Sequence, residues 1–160
     1  MNSTVQLKKG NGDLPIVVIE NASAIATIYL HGAHVSSFIP KATGKDILWM
    51  STDSIFEKSK PIRGGIPICW PWFGKPNPDE NPGAALQHGF ARSEDWTIKD
   101  VNYIDENTTA VTLVLFSTAE TQNTTLTMSV ASDVTTIDVT IPVEGVQAAI
   151  DSNGDISSPG

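Results

Sequence analysis

Short runs of β-branched and aliphatic residues, punctuated by Asn, Gly, Ser and Pro, set the hydrophobic pattern of this chain. LPIVVIEN (14–21) and AIATIYLHG (24–32) flank an Asn-Ala-Ser turn, SSFIP (36–40) ends at a proline, and DILWMS (46–51) follows a Thr-Gly turn. Runs of this length bounded by turn residues predict a meander of short antiparallel strands. DWTIKDVNYI (95–104), TAVTLVLFS (109–117), TTLTMSVAS (124–132) and TTIDVTIPV (135–143) add four more, with Thr alternating with aliphatics as a half-buried pleated surface requires. No stretch carries a convincing helical period and no internal repeat is present. The pattern predicts one all-β domain of antiparallel strands over residues 1–150. The polar, Gly- and Ser-rich DSNGDISSPG (151–160) is expected to form a flexible C-terminal tail.

Residues 57–95 break the pattern. They hold six of the ten prolines and little periodicity, which predicts a long loop with short strands. Loops of that length are either functional or disordered, and PIRGGIPICWPWFGKP (61–76), with two tryptophans, argues for order.

Composition narrows the function. The chain has 160 residues, 40% of them hydrophobic and 18% charged, which is ordinary for a globular domain. Its formal net charge of −8 argues against nucleic-acid and anionic-membrane partners. All ten Lys and Arg lie within residues 1–99, whereas residues 100–160 carry nine acids and no base. No leader pattern and no apolar run near the roughly 20 residues of a spanning helix is present, so a cytoplasmic protein is expected. The sequons at Asn2, Asn21, Asn107 and Asn123 are read as by-products of a Ser- and Thr-rich chain. The single cysteine, Cys69, rules out a disulfide framework and is expected to be a small core residue. His31 and His34 are expected to be structural or solvent-facing, on opposite faces if their segment is a strand. No metal site, nucleotide loop or cofactor is expected.

Two residue types carry the candidate chemistry. The only arginines, Arg63 and Arg92, fall in the two unusual segments, PIRGGIPICWPWFGKP and LQHGFARSEDW (86–96). A guanidinium offers a rigid fork of donors suited to phosphate or carboxylate, whereas the chain uses lysine eight times elsewhere. Arg63 and Arg92 can equally be surface or salt-bridge residues on composition alone. Trp72, like Trp70, offers an indole on which the apolar face of a sugar can stack beside polar groups such as Gln87 and His88. The alternation Trp70-Pro71-Trp72 leaves at least one of these rings for the core.

GAHVSSFIP, DILWMS, IRGGIPICWPWFG and QHGFARSEDWTI, in this order and spacing, resemble the N-terminal part of the hexose-6-phosphate mutarotases. These form the glucose-6-phosphate 1-epimerase branch of the galactose mutarotase-like superfamily. The resemblance spans roughly residues 14–120 and fades over 121–150. It implies a truncated version of the family's β-supersandwich, whose concave face takes a hexose 6-phosphate and interconverts its α and β anomers without a cofactor. Carried over by motif, Arg63 and Arg92 hold the phosphate with help from Gln87, and His88 meets sugar oxygens near the reaction centre. The Trp-Pro segment braces Arg63 and lines one wall of the site.

Mutarotation needs a base for the anomeric hydroxyl and an acid for the ring oxygen. In the family these are a glutamate and a second histidine beyond the matched region, in chains nearly twice this length. Here no histidine follows His88, and Glu94, Glu106, Glu120 and Glu144 stand in no matching context. Three readings follow: a sugar-phosphate binder with incomplete catalysis, an enzyme using His88 alone or a site completed across an oligomer, and a structural interaction domain with a relic site. A homo-oligomer formed through exposed sheet edges is expected in each.

Overall fold

The structure is a computed structural model that describes residues 3–80 and 82–116 and the strands at 123–130, 135–140, 149–150 and 156–157, with side chains through residue 115. Four antiparallel strands form the first sheet in sequence order: β1 (Thr4–Lys9), β2 (Pro15–Glu20), β3 (Ala24–Tyr29) and β4 (His34–Pro40). A second antiparallel sheet follows the same simple order with β5 (Thr97–Tyr103), β6 (Thr109–Phe116), β7 (Asn123–Val130) and β8 (Thr135–Thr140). A two-residue pair, β9 (Ala149–Ile150) with β10 (Ile156–Ser157), lies within and next to the expected tail, the rest of which is outside the described residues.

The alternation read from sequence decides which side chains meet. In β2, Val17 and Ile19 are fully buried while Ile16 and Val18 are only partly so, and their register partners Ile28 and Ala26 in β3 share the inward face. These join Val35 and, from the second sheet, Val111, Leu113 and Leu115 of β6 in one apolar cluster closed by Trp96. A single core fed by both sheets makes them the two layers of a β-sandwich. Each fully buried aliphatic contributes about 1.5–3 kcal/mol. Polar links pin the layers at one end. Asn21 Nδ2 donates to the Asn107 carbonyl (2.8 Å) and the Ala22 amide to that of Glu106 (2.9 Å). Buried at 1% exposure, Asn21 is a structural residue of this joint.

Two expectations are corrected. DILWMS forms no strand, because Asp46 captures the backbone there: its carboxylate accepts from Phe38 N (3.1 Å), Leu48 N (2.9 Å) and Ser37 Oγ (2.5 Å). Burial would raise the Asp46 pKa, but these bonds from Ser37, Leu48 and Phe38 prevail and hold it below its ordinary value. Ile47 and Trp49 accordingly point to solvent, at 63% and 73% exposure, leaving one bridge from Met50 to Gly64. Conversely, β1 carries only Val5 and Leu7 as apolar positions and ends in two lysines, an edge strand with too weak a pattern to be predicted. The long 57–95 segment contains isolated bridges and a 3₁₀ turn, Ala91–Ser93, in place of the short strands expected.

Candidate functional site

The first limb of the site is Lys60–Gly65, and two buried histidines hold it. A turn at Leu30–Ala33, with Gly32 and Ala33 at φ of 79° and 45°, interrupts the strand alternation. His31 and His34 therefore point toward the same limb, and the expected opposite faces do not arise. His31 Nε2 meets the Lys60 carbonyl and His34 Nε2 the Gly64 carbonyl, each at 2.6 Å, with both residues 1% exposed. Burial pushes His34 down to about 4; the bond to Gly64 opposes that shift and the nearby His31 adds to it. His34 is thus a neutral imidazole donating from Nε2. Gly65 lets the limb lie against β4: a Cβ there would stand 2.2 Å from the Val35 carbonyl oxygen. The Arg63 backbone is fixed between Ser54 Oγ, which accepts from its amide (3.0 Å), and the Ser51 amide, which donates to its carbonyl (3.1 Å). Its side chain is exposed.

The second limb pairs residues 70–74 with 86–92. The Trp70 carbonyl accepts from the amides of Phe90 (3.0 Å) and Ala91 (3.2 Å), and Trp72 Nε1 donates to the Leu86 carbonyl (2.8 Å). The Gly74 amide donates to His88 Nδ1 (2.9 Å), while the His88 amide donates to the Gly74 carbonyl (2.7 Å). A ring nitrogen that accepts from an amide carries no proton, so neutral His88 holds its proton on Nε2 and can donate from there. His88 sits at φ 64° and edge-on to Phe73, with ring centroids 4.7 Å apart. Phe73 is itself 80% exposed, so the imidazole stands beside an open aromatic surface.

Arg92 closes this limb. Its Nη2 donates to the Gln87 carbonyl (2.7 Å), and its Nε is buried with no partner. Burial lowers the Arg92 pKa, Cys69 opposes that shift, and Arg63 adds to it, so the two guanidinium groups feel one another. Among the described residues neither arginine joins an ion pair; the four pairs present involve Lys41, Lys58, Lys60 and His31. The structure thus brings Arg63 and Arg92 within Coulombic reach and ties Gln87 to Arg92 through its backbone. The Gln87 side chain is exposed, Trp72 is half-buried with its N–H committed, and Trp70 packs on the core against Phe90. Cys69, expected in the core, is half-buried.

A cavity of about 370 Å³ lies elsewhere, between Tyr29, Ser36, Asp46 and Phe56, and none of the sequence-predicted residues line it. A smaller one of about 170 Å³ is lined by Arg63 with Lys60 and Asp53. The chemistry is better placed by the unpaired arginines than by cavity size. The histidine clamp was missed from sequence. Its only signal was the His-Gly-Ala-His spacing, in which glycine at the centre breaks the strand period.

Two antiparallel sheets around one core, joined by a long segment that carries both arginines, define an all-β sandwich protein. A crystal structure of a candidate mutarotase from Salmonella typhimurium superposes with a TM-score of 0.74 at 29% identity, over 86% of this chain and 46% of that one. A galactose mutarotase-like protein from Lactobacillus casei shares the fold with a TM-score of 0.56 at 24% identity, over 85% of this chain and 45% of that one. In sequence, a protein named as a candidate glucose-6-phosphate 1-epimerase from Escherichia coli is 36% identical over 120 residues, 75% of this chain and 39% of the relative. The family model described as aldose 1-epimerase matches residues 15–149, and the chain belongs to that family. It spans less than half the length of the glucose-6-phosphate 1-epimerase relatives that it matches in sequence. Among the described residues no helix is long and apolar enough to cross a membrane.

Proposed function

We propose that this chain binds a hexose 6-phosphate, with Arg63 and Arg92 on the phosphate, Gln87 beside them, Trp72 in the wall and His88 at the sugar. The observation that carries this reading is Arg92: a guanidinium with one backbone bond, a buried unpartnered Nε and a second arginine nearby. Two like charges brought near one another are stabilised by a dianion, and the fork geometry suits phosphate oxygens. The relatives named as glucose-6-phosphate 1-epimerases support hexose 6-phosphate as the ligand class.

Interconversion of α and β anomers at this site needs two groups, of which the residues assigned to it supply one, His88. Ring opening removes the proton of the anomeric hydroxyl and protonates the ring oxygen; closure onto the other face of C1 reverses both transfers. His88, with Nε2–H free of the protein bond that holds Nδ1, is the group that meets a sugar oxygen. His31 and His34 are enclosed in the scaffold and supply no second imidazole. Exchange NMR on glucose 6-phosphate tests both parts in one sample. Broadened ligand lines are expected with glucose 6-phosphate and not with glucose, and exchange that is accelerated by the protein and lost in His88→Ala marks turnover. Unchanged lines at millimolar ligand overturn the reading.

A further inference from the structure

The two arginines belong to segments far apart in sequence, and one buried turn touches both. His31 Nε2 meets the carbonyl of Lys60, three residues before Arg63, while its Nδ1 meets Asp95 Oδ1 at 3.1 Å, three residues after Arg92. The Gly32 amide donates to the Glu94 carbonyl (2.7 Å), and Gly32 packs so closely on the Arg92 backbone that a Cβ would lie 2.6 Å from the Arg92 carbonyl oxygen. His34 then holds the Gly64 carbonyl, next to Arg63, at 2.6 Å.

We propose that His31 and His34 are positioning residues that set the separation of Arg63 and Arg92, and thereby the ability of the pair to take a phosphate. This rests on the reading in which those arginines hold that phosphate.

The chemistry of each imidazole fits the task. His34, neutral because burial holds it at about 4, donates one directional bond to the Gly64 carbonyl. His31 lies between the Asp95 carboxylate and the Lys60 carbonyl and so spans the two limbs. Lys58 faces the far oxygen of Asp95 at 3.6 Å, and no other described ion pair reaches this strut. An aliphatic residue could fill the same volume but could not join one limb to the other. Sites of this kind lose function when supporting groups let the contacting groups drift by about 1 Å.

The test uses the full chain as wild type, His34→Ala, His34→Gln and Asp95→Ala, with two readouts: hydrogen exchange at the amides of Gly65 and Ile66, and calorimetric titration with glucose 6-phosphate and with glucose. In the wild type these amides donate to the Trp49 and Val35 carbonyls and are expected to be protected. His34→Ala is expected to lose that protection and to bind glucose 6-phosphate about tenfold more weakly. Glutamine places an amide nitrogen near the position of Nε2, so His34→Gln is expected to restore both readouts to within about threefold of wild type. A loss of packing alone would not be rescued in this way. Asp95 is 53% exposed and tolerates truncation, so Asp95→Ala is expected to keep the fold yet weaken glucose 6-phosphate binding about threefold. It keeps the proposal testable if His34→Ala does not fold. Unchanged protection in His34→Ala overturns the clamp. Lost protection with unchanged affinity, or unchanged affinity in Asp95→Ala, overturns its link to the arginines. A wild type that takes up no glucose 6-phosphate overturns the phosphate reading itself, and this proposal with it, whatever the exchange data give.

Discussion

Arg92 donates from Nη2 to the carbonyl oxygen of Gln87 across 2.7 Å, while its own Nε is buried without a partner. One backbone bond orients the guanidinium, and the unmet Nε carries a desolvation cost that a bound oxyanion would relieve. Arg92→Lys retains the charge but loses the planar fork, and is expected to weaken glucose 6-phosphate binding by about 1.5–3 kcal/mol, roughly ten- to a hundredfold. Titration calorimetry reads this directly. Equal affinity in Arg92→Lys would show that charge alone suffices.

His34 predicts an acid-sensitive fold. Its folded pKa is about 4 against an ordinary 6.5, so the unfolded chain binds the extra proton first as pH falls. Stability attributable to this group is therefore intact above about pH 6.5 and declines as pH drops toward 4, by about 3 kcal/mol at 1.36 kcal/mol per pH unit. Urea unfolding at pH 7, 5.5 and 4.5 should show this slope in the wild type and a shallower one in His34→Gln. Identical slopes would mean the neutral imidazole is not held as described.

Gly89 is the contact point of the second limb. It sits at φ 70°, and a Cβ there would lie only 1.9 Å from the Trp70 carbonyl oxygen, so it admits no side chain without moving backbone. Gly89→Ala is expected to cost at least about 2 kcal/mol in denaturant unfolding and to displace His88 and Arg92. A loss below about 1 kcal/mol would contradict the tight pairing of residues 70–74 with 86–92.

His88→Asn separates scaffold from chemistry. Asparagine tolerates the left-handed backbone at φ 64° and can accept from the Gly74 amide as Nδ1 does, but it offers no donor where Nε2 stands. Thermal unfolding within about 5 °C of wild type is expected, together with anomer exchange at the uncatalysed rate. Full exchange activity in this variant would remove His88 from the reaction.

Much of the fold was legible because the strand signal is local. The alternation of Val17, Ile19, Ala26 and Ile28, like that of Val111, Leu113 and Leu115, appears in sequence as it does in the core. DILWMS misled because its strand-like composition competes with Asp46, whose carboxylate takes up the amides of Phe38 and Leu48 and the hydroxyl of Ser37. The site was legible in part. Arg63 and Arg92 stood out by rarity, and the family resemblance implied that both act on one phosphate. The His31 and His34 clamp could not be read, because it depends on a turn that swings two side chains toward carbonyls about 30 positions away.

The central claim is that Arg63 and Arg92 act together on a phosphate. It is tested most directly by calorimetric titration of the chain with glucose 6-phosphate and with glucose, in the wild type, Arg63→Ala and Arg92→Ala. The account predicts saturable binding of the phosphate ester alone, lost in both single variants while their circular dichroism stays that of the wild type. Equal binding of glucose and glucose 6-phosphate, or undiminished affinity in either arginine variant, would contradict it.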